Sequence, residues 1–185
     1  MRKLFIFLSL FILLASSVWA FNGHRKGFVL GGGLGFGPVA KVTIDGVSGS
    51  SLDKSGLATN ILIGYAWDEQ NMIVYLRDAI FYKETTIFND DIFIVQGFNG
   101  FGYYHYFGPV GRSFYLTGGI GLQDWTSLDS KYESNDVGGG ILLGGGYEFT
   151  RHFQIHGSLS FGRTTYAGVD FNHTQLLFTM SVVAF

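Results

Sequence analysis

His156 and Ser158 are two residues apart, and their types and spacing suit covalent catalysis. An imidazole next to a hydroxyl can take its proton and turn it into a nucleophile. On a strand, residues i and i+2 point to one face, so a strand would present the two side chains together. The favoured reading of the same spacing is two polar side chains hydrogen-bonded inside a closed interior. A second pattern, Gly35-x-Gly37-x-x-Ala40, has the form of a dinucleotide fingerprint. That motif needs a strand before it and a helix after it, and here Pro38 leads into more strand-like sequence. The chain has no Cys, so thiolate zinc sites and disulfides are excluded. His24, His105, His152 and His173 lie near predicted ends or turns and form no metal-ligand spacing, and the acids follow no calcium-loop pattern. Neither a cofactor nor a metal is expected.

Any such chemistry has to be carried by a chain of unusual composition. Its 185 residues include 28 Gly and 32 aromatics, while only 14% are charged. Ordinary soluble domains have about 25% charged residues, so the surface is short of charge. The first twenty residues read as a cleaved signal peptide. Arg2 and Lys3 precede an apolar run from Leu4 to Ala15, and small residues sit before a cut after Ala20. That run is too short to span a membrane as a helix, which needs about 20 apolar residues. Cleavage takes 12 basic residues to 10 against 14 acidic, leaving a mature chain, residues 21–185, with no clustered basic face. Nucleic-acid binding is therefore not expected.

The mature sequence alternates with period two, the signature of strands. Phe153, Ile155, Gly157, Leu159 and Phe161 alternate with Gln154, His156, Ser158, Ser160 and Gly162. Phe28, Leu30, Leu34 and Phe36 alternate with Val29, Gly31, Gly33 and Gly35. Eight strands are predicted, near 27–41, 56–67, 71–82, 91–107, 113–124, 137–149, 152–162 and 171–184. Their connections alternate between long polar loops and short turns, as in transmembrane barrels with long extracellular loops and short periplasmic turns. A sheet can enter hydrocarbon only if it closes on itself, because every backbone N–H and C=O must be paired there. The expected architecture is all-β: an eight-stranded, closed, antiparallel, up-and-down transmembrane barrel.

Closure at eight strands leaves an interior that side chains can fill. Gly at lumen positions would make room for bulky side chains opposite. The polar phase places Asn60, Arg77, Gln96, Thr117, Gln123, Glu148, His156, Ser158, Ser160 and Gln175 in a lumen hydrogen-bond network, with Asn99 or its neighbour, Thr179 and Ser181 beside them. Arg77 and Asp78 are adjacent and so point to opposite faces unless a bulge intervenes; the expectation is Arg77 inward and Asp78 near the outer rim. Aromatic girdles are expected from Tyr65, Trp67, Tyr104, Tyr106, Phe114, Tyr147, Phe149 and Phe153 at the turn end. Phe81, Tyr82, Trp125, Phe161 and Phe171 are their counterparts at the loop end. The loops and their rims carry ten acids against four bases, an excess suited to keeping them soluble or to binding divalent cations that bridge lipopolysaccharide.

Gly27-Phe28-Val29-Leu30-Gly31-Gly32-Gly33-Leu34-Gly35, Ser113-Phe114-Tyr115-Leu116-Thr117-Gly118-Gly119-Ile120-Gly121, Gly145-Gly146-Tyr147-Glu148-Phe149-Thr150-Arg151-His152 and terminal Phe185 resemble the small outer-membrane β-barrel proteins of Gram-negative bacteria, the OmpA/OmpX-like group. The resemblance covers nearly the whole mature chain and rests on Gly and aromatics in strands. It implies an outer-membrane location, contact with outer-membrane lipid and lipopolysaccharide, and recognition of Phe185 by the barrel-assembly machinery. Phe185 departs from the pattern. The apolar alternation Leu176, Phe178, Met180, Val182, Ala184 is out of phase with it, so either the lipid face is not continued or the last strand contains a bulge. The His156/Ser158 pair is similar to the His-x-Ser pair of the outer-membrane lipid A deacylases. In that family Asn follows the Ser and an acid lies on the next strand; here Leu159 follows, and the acid downstream is Asp170, in a loop.

Fold alone leaves function open. The leading expectation is a structural or surface-interaction role, with extracellular loops presenting a binding surface to an unknown ligand, no wide pore and no enzymatic activity. The alternatives are an envelope-lipid hydrolase using His156 and Ser158, and a soluble secreted barrel that binds a small apolar ligand.

Overall fold

The computed structural model describes residues 24–46, 51–85, 90–129, 135–166 and 168–185. The proposed leader lies outside the described residues. Eight strands follow one another along the chain: β1 (Gly27–Ile44), β2 (Ser51–Ala66), β3 (Asn71–Thr85), β4 (Asp91–Tyr106), β5 (Ser113–Ser127), β6 (Asn135–Thr150), β7 (Phe153–Tyr166) and β8 (Val169–Ala184). Each pairs antiparallel with its neighbour in sequence, and β1 pairs with β8, which closes the barrel. Closure leaves no sheet edge unpaired.

Every strand except β4 runs further toward the loop end than the sequence pattern indicates, β2 beginning at Ser51 and β7 ending at Tyr166. The reason is backbone pairing. Once the ladder is in register it continues past the apolar band, for example Lys41↔Asp53 and Val42↔Leu52, where polar side chains hide the alternation. One defect interrupts β1. Its register shifts between Gly37 and Ala40 against β2 and between Phe36 and Val39 against β8, across Pro38 in both cases, as expected where Pro cannot donate to the ladder.

The outward phase is dominated by large apolar side chains. Leu34 is 64% exposed, Ile120 73%, Leu143 60% and Phe178 54%, so the barrel wall presents a continuous apolar belt. At the turn end this belt is bounded by outward aromatics: Trp67 stacks on Tyr103, Phe114 packs on Tyr147, and Phe149 packs on Phe153. Tyr104 and Tyr106, expected in that girdle, are buried in the lumen instead. They share their strand phase with buried Gln96 and Phe98, and so with the inside. Tyr82, Trp125 and Phe171, expected at the loop-end girdle, also lie on the inward phase, alternating with outward Phe81, Asp124 and Thr126 or sharing parity with buried His173.

Glycines on the lumen face lie opposite bulky side chains. A Cβ at Gly31 would come within 2.8 Å of Leu62 Cδ1, and one at Gly146 would collide with the Ile155 carbonyl oxygen and come within 2.5 Å of the Tyr115 hydroxyl. Overpacking of this kind costs about 1–3 kcal/mol. Gly146→Val should therefore lower the urea midpoint of the refolded barrel, whereas Gly139→Val, where a Cβ meets nothing within 4 Å, should leave it unchanged. Equal midpoints for both variants would remove the packing explanation. At the β2–β3 turn, the Asp68 carboxylate accepts hydrogen bonds from the Asn71 side chain and from the Gln70 and Asn71 backbone N–H groups. These bonds, the Asn71 side chain first, hold its pKa below the ordinary carboxylate value.

Candidate functional site

The lumen is arranged in layers. At the turn end an apolar and aromatic layer contains Val29, Leu62, Met72, Leu76, Tyr104, Tyr115 and Phe185. Toward the loop end a second apolar layer contains Ala40, Ala58, Ile80, Tyr82, Ile94 and Leu177. Between them on β3 lies Asp78, fully buried, between Leu76 of one layer and Ile80 of the other.

Asp78 is the hub of the polar layer. Asn60 Nδ2 donates to its Oδ1 at 2.5 Å, and Ser158 Oγ donates to its Oδ2 at 2.5 Å. Gln175 Nε2 reaches the Asp78 carbonyl at 3.4 Å, and Ser181 Oγ reaches Asn60 Oδ1 at 3.4 Å. His156 Nε2 lies 3.7 Å from Asp78 Oδ2, beyond hydrogen-bond range. His156 Nδ1 meets the Tyr115 hydroxyl at 3.0 Å, and the two rings stack at 5.9 Å.

This geometry bears directly on the catalytic possibility. A nucleophilic serine must give its proton to the imidazole. Here Ser158 gives it to a carboxylate, the imidazole is bonded to a tyrosine, and the carboxylate stands between serine and histidine. Ser158 and His156 are each 3% exposed. The constellation is a buried network in which one carboxylate accepts from two side-chain donors, Asn60 and Ser158, while His156 Nε2 has no hydrogen-bond partner.

Of the residues assigned to the lumen from sequence, Asn60, Gln96, Thr117, Gln123, Glu148, His156, Ser158, Ser160 and Gln175 are buried there. They do not form one network. Ser160 reaches Gln123 Oε1 at 3.4 Å, and Gln96 Nε2 reaches the Thr174 carbonyl at 3.3 Å, both away from Asp78. Glu148 belongs to a separate site at the turn end.

Arg77 and Asp78 have exchanged places relative to the expectation. Arg77 shares its phase with exposed Ile73 and Tyr75 and points outward. Its guanidinium reaches across β4 to Asp124 on β5. Nη1 bonds to Oδ1, and Nη2 donates to Oδ2 at 2.8 Å. Asn99, also outward, donates to Asp124 Oδ1 at 3.1 Å. A Cβ on Gly97 would meet the Arg77 guanidinium at 2.8 Å, so the clasp lies over a residue with no side chain. The sequence hides this phase because Met72, Val74 and Leu76 are apolar on the lumen side too, which erases the alternation of β3.

The turn end is sealed by a residue that strand periodicity could not place. Arg25 precedes β1, yet it is completely buried. Nη2 donates to Glu148 Oε2, Nη1 donates to the Glu69 carbonyl, and Cζ sits 3.5 Å above the Tyr106 ring. Phe185 closes the same end, 1% exposed and 5.8 Å from the guanidinium. β8 pairs with β7 without a register shift from Phe153↔Val182 to Tyr166↔Val169. The out-of-phase terminal aromatic therefore results from no bulge in that pairing. Its ring turns into the lumen.

A closed lumen, an apolar outer wall and eight strands meeting in sequence order define an eight-stranded, closed, up-and-down antiparallel barrel, a fold similar to that of the small outer-membrane barrels of the OmpA/OmpX-like group. No family model and no curated relative matches the chain. Among solved structures it is similar to neisserial surface protein A, with a TM-score of 0.57 and 15% identity over 85% of this chain and 97% of that one. It is also similar to the attachment invasion locus protein Ail of Yersinia pestis, solved in complex with the heparin analogue sucrose octasulfate. That match has a TM-score of 0.53 and 14% identity over 84% of this chain and 99% of that one. At such identities the likeness is one of fold.

Proposed function

We propose that the protein resides in the bacterial outer membrane as an integral barrel, where it has a structural or surface-interaction role and is neither a wide pore nor an enzyme. The belt of exposed large apolar side chains around a sheet with no free edge carries this reading. A monomeric soluble protein rarely exposes a contiguous apolar patch of more than a few hundred Å², and this one encircles the barrel. The likeness to a surface protein and to an attachment protein supports the surface role.

The turn end then faces the periplasm, and the loop end faces outward among lipopolysaccharide. The acidic loops extend that outer surface and present it to a ligand or to bridging cations. The assembly machinery would meet Phe185 before closure, because in the finished barrel its ring is inside. Membrane fractionation tests the placement. The protein should stay in the outer-membrane fraction after a high-salt wash, need detergent for release, and run faster unboiled than boiled. Recovery in the aqueous fraction without detergent would favour the soluble apolar-ligand barrel instead.

The hydrolase alternative makes the opposite prediction for Ser158→Ala. As a hydrogen-bond donor to Asp78, Ser158 contributes about 1–3 kcal/mol of stability, and its loss should leave the lipid A mass spectrum of the host unchanged. A shift in acylation on expressing the unmutated chain, abolished by Ser158→Ala, would reinstate the enzyme.

A further inference from the structure

We propose that the loop-end mouth of the barrel is a binding pocket for a small uncharged aromatic molecule of one or two rings. The pocket has a volume of about 270 Å³ and is lined by Val42, Ile44, Ser51, Leu52, Trp125 and Phe171. Val42, Ile44, Leu52 and Phe171 come from the adjacent strands β8, β1 and β2, whereas Trp125 comes from β5 on the far side of the barrel. The space is therefore inside the mouth rather than on its outer wall.

Its chemistry narrows the ligand. Among the described residues, five of the six that line it are apolar or aromatic and none is charged. The Trp125 indole N–H is already donated to the Tyr82 hydroxyl at 2.9 Å, which leaves the Ser51 hydroxyl as the polar side-chain group among the described lining residues. Arg163 at the rim is held by Asp45 at 2.7 Å and Asp170 at 2.5 Å, so it is not offered to an anion. The Trp125 and Phe171 rings stand 6.2 Å apart, tilted by 32°, a spacing suited to offset or edge packing against a further ring. An apolar cavity of about 150 Å³ accepts benzene, so this volume takes one or two rings.

The pocket holds such a molecule rather than passing it on. Beneath it Ala40, Ala58, Ile80 and Leu177 form a fully buried floor. Ser51 at the outer edge is exposed, which places the entrance at the loop end. The arms of the Arg163 clasp reach β1's end and β8, and the Asp45 N–H donates to the Asp170 carbonyl at 2.9 Å. This fixes the β1–β8 wall that carries Ile44 and Phe171. The proposal extends the surface role above by giving the mouth a ligand class, and its test does not depend on where in the cell the barrel lies.

The chain has three tryptophans, which makes the test simple. Trp19→Phe/Trp67→Phe leaves Trp125 alone at the mouth; Trp19→Phe/Trp125→Phe leaves Trp67 alone at the opposite end. In lipid nanodiscs, bromobenzene should quench Trp125 saturably, unbrominated toluene should relieve the quenching, and Trp67 should show only linear quenching by partitioned probe. Leu52→Gln, checked for closure by unboiled gel mobility, should weaken binding about tenfold by putting an amide in the apolar wall. Linear, equal quenching of Trp125 and Trp67, or saturable quenching that toluene does not relieve, would overturn the proposal. Should Leu52→Gln fail to close, toluene competition on the chain with native Leu52 decides alone.

Discussion

Asp124→Leu should lower the unfolding free energy by about 2–4 kcal/mol, and adding Arg77→Leu should recover most of that loss. The pair lies on the outer wall, with Arg77 22% and Asp124 13% exposed through their side chains, and apolar side chains surround it. Ile73 and Tyr75 lie on one side along β3, and Ile120 and Leu122 along β5, all at least 46% exposed. In hydrocarbon, removing one partner leaves the other charge without compensation. A lone Arg or Lys on the lipid face costs about 2–4 kcal/mol near the midplane, and a carboxylate less, whereas replacing both partners by apolar residues is often neutral or better. Urea unfolding in lipid vesicles, followed by tryptophan emission, measures both variants. The pattern also discriminates between solvents, since an exposed pair in water is worth only about 0–1 kcal/mol. A single variant indistinguishable from the unmutated protein would therefore count against a lipid-facing wall, and a double variant as unstable as the single would count against charge as the cause.

Arg25→Ala should cost about 3–5 kcal/mol, the usual effect of stranding one member of a buried ion pair. Glu148 would be left 3% exposed with its cation gone, the Glu69 carbonyl would lose its donor, and the Tyr106 ring would lose the guanidinium above it. Arg25→Lys should recover less than half. A lysine has no planar fork to reach carboxylate and carbonyl together while stacking on a ring. Arg25→Ala/Glu148→Ala should be more stable than Arg25→Ala alone, because no buried charge remains. The same urea series reads all three. Full recovery by Lys would reduce the site to a point charge, and a loss below about 1 kcal/mol for Ala would mean that the turn end is open to water.

The strands whose lumen face is small or polar were legible from the start. β7 sets Gln154, His156, Ser158 and Ser160 against Ile155, Leu159 and Phe161, and β1 sets glycines against Leu and Phe, so one face had to meet hydrocarbon and the other an enclosed interior. β3 was not legible, since both of its faces are apolar near Met72–Leu76, and Arg77 and Asp78 were assigned to the wrong sides. Tyr104 and Tyr106 could have been placed, because they share their parity with Gln96. Their size and position near a turn suggested a girdle instead. Arg25 gave no signal, lying before the first alternating residue.

Alternation is a local property. A period of two in side-chain polarity, long and short connections in turn, and Gly at inward positions are all written in neighbouring residues. By themselves they determined eight strands, a closed barrel and an apolar wall. What Asp78, Arg25 and Trp125 touch is decided by the stagger between strands when β8 closes on β1. A guanidinium before β1 meets a carboxylate on β6, 123 residues away in sequence, and an indole on β5 faces a wall built from β8, β1 and β2. Stagger is a sum over eight pairings, including the shift of β1 across Pro38. No single strand contains it. The tertiary structure therefore decided how the lumen is layered, which end is sealed and where a pocket remains.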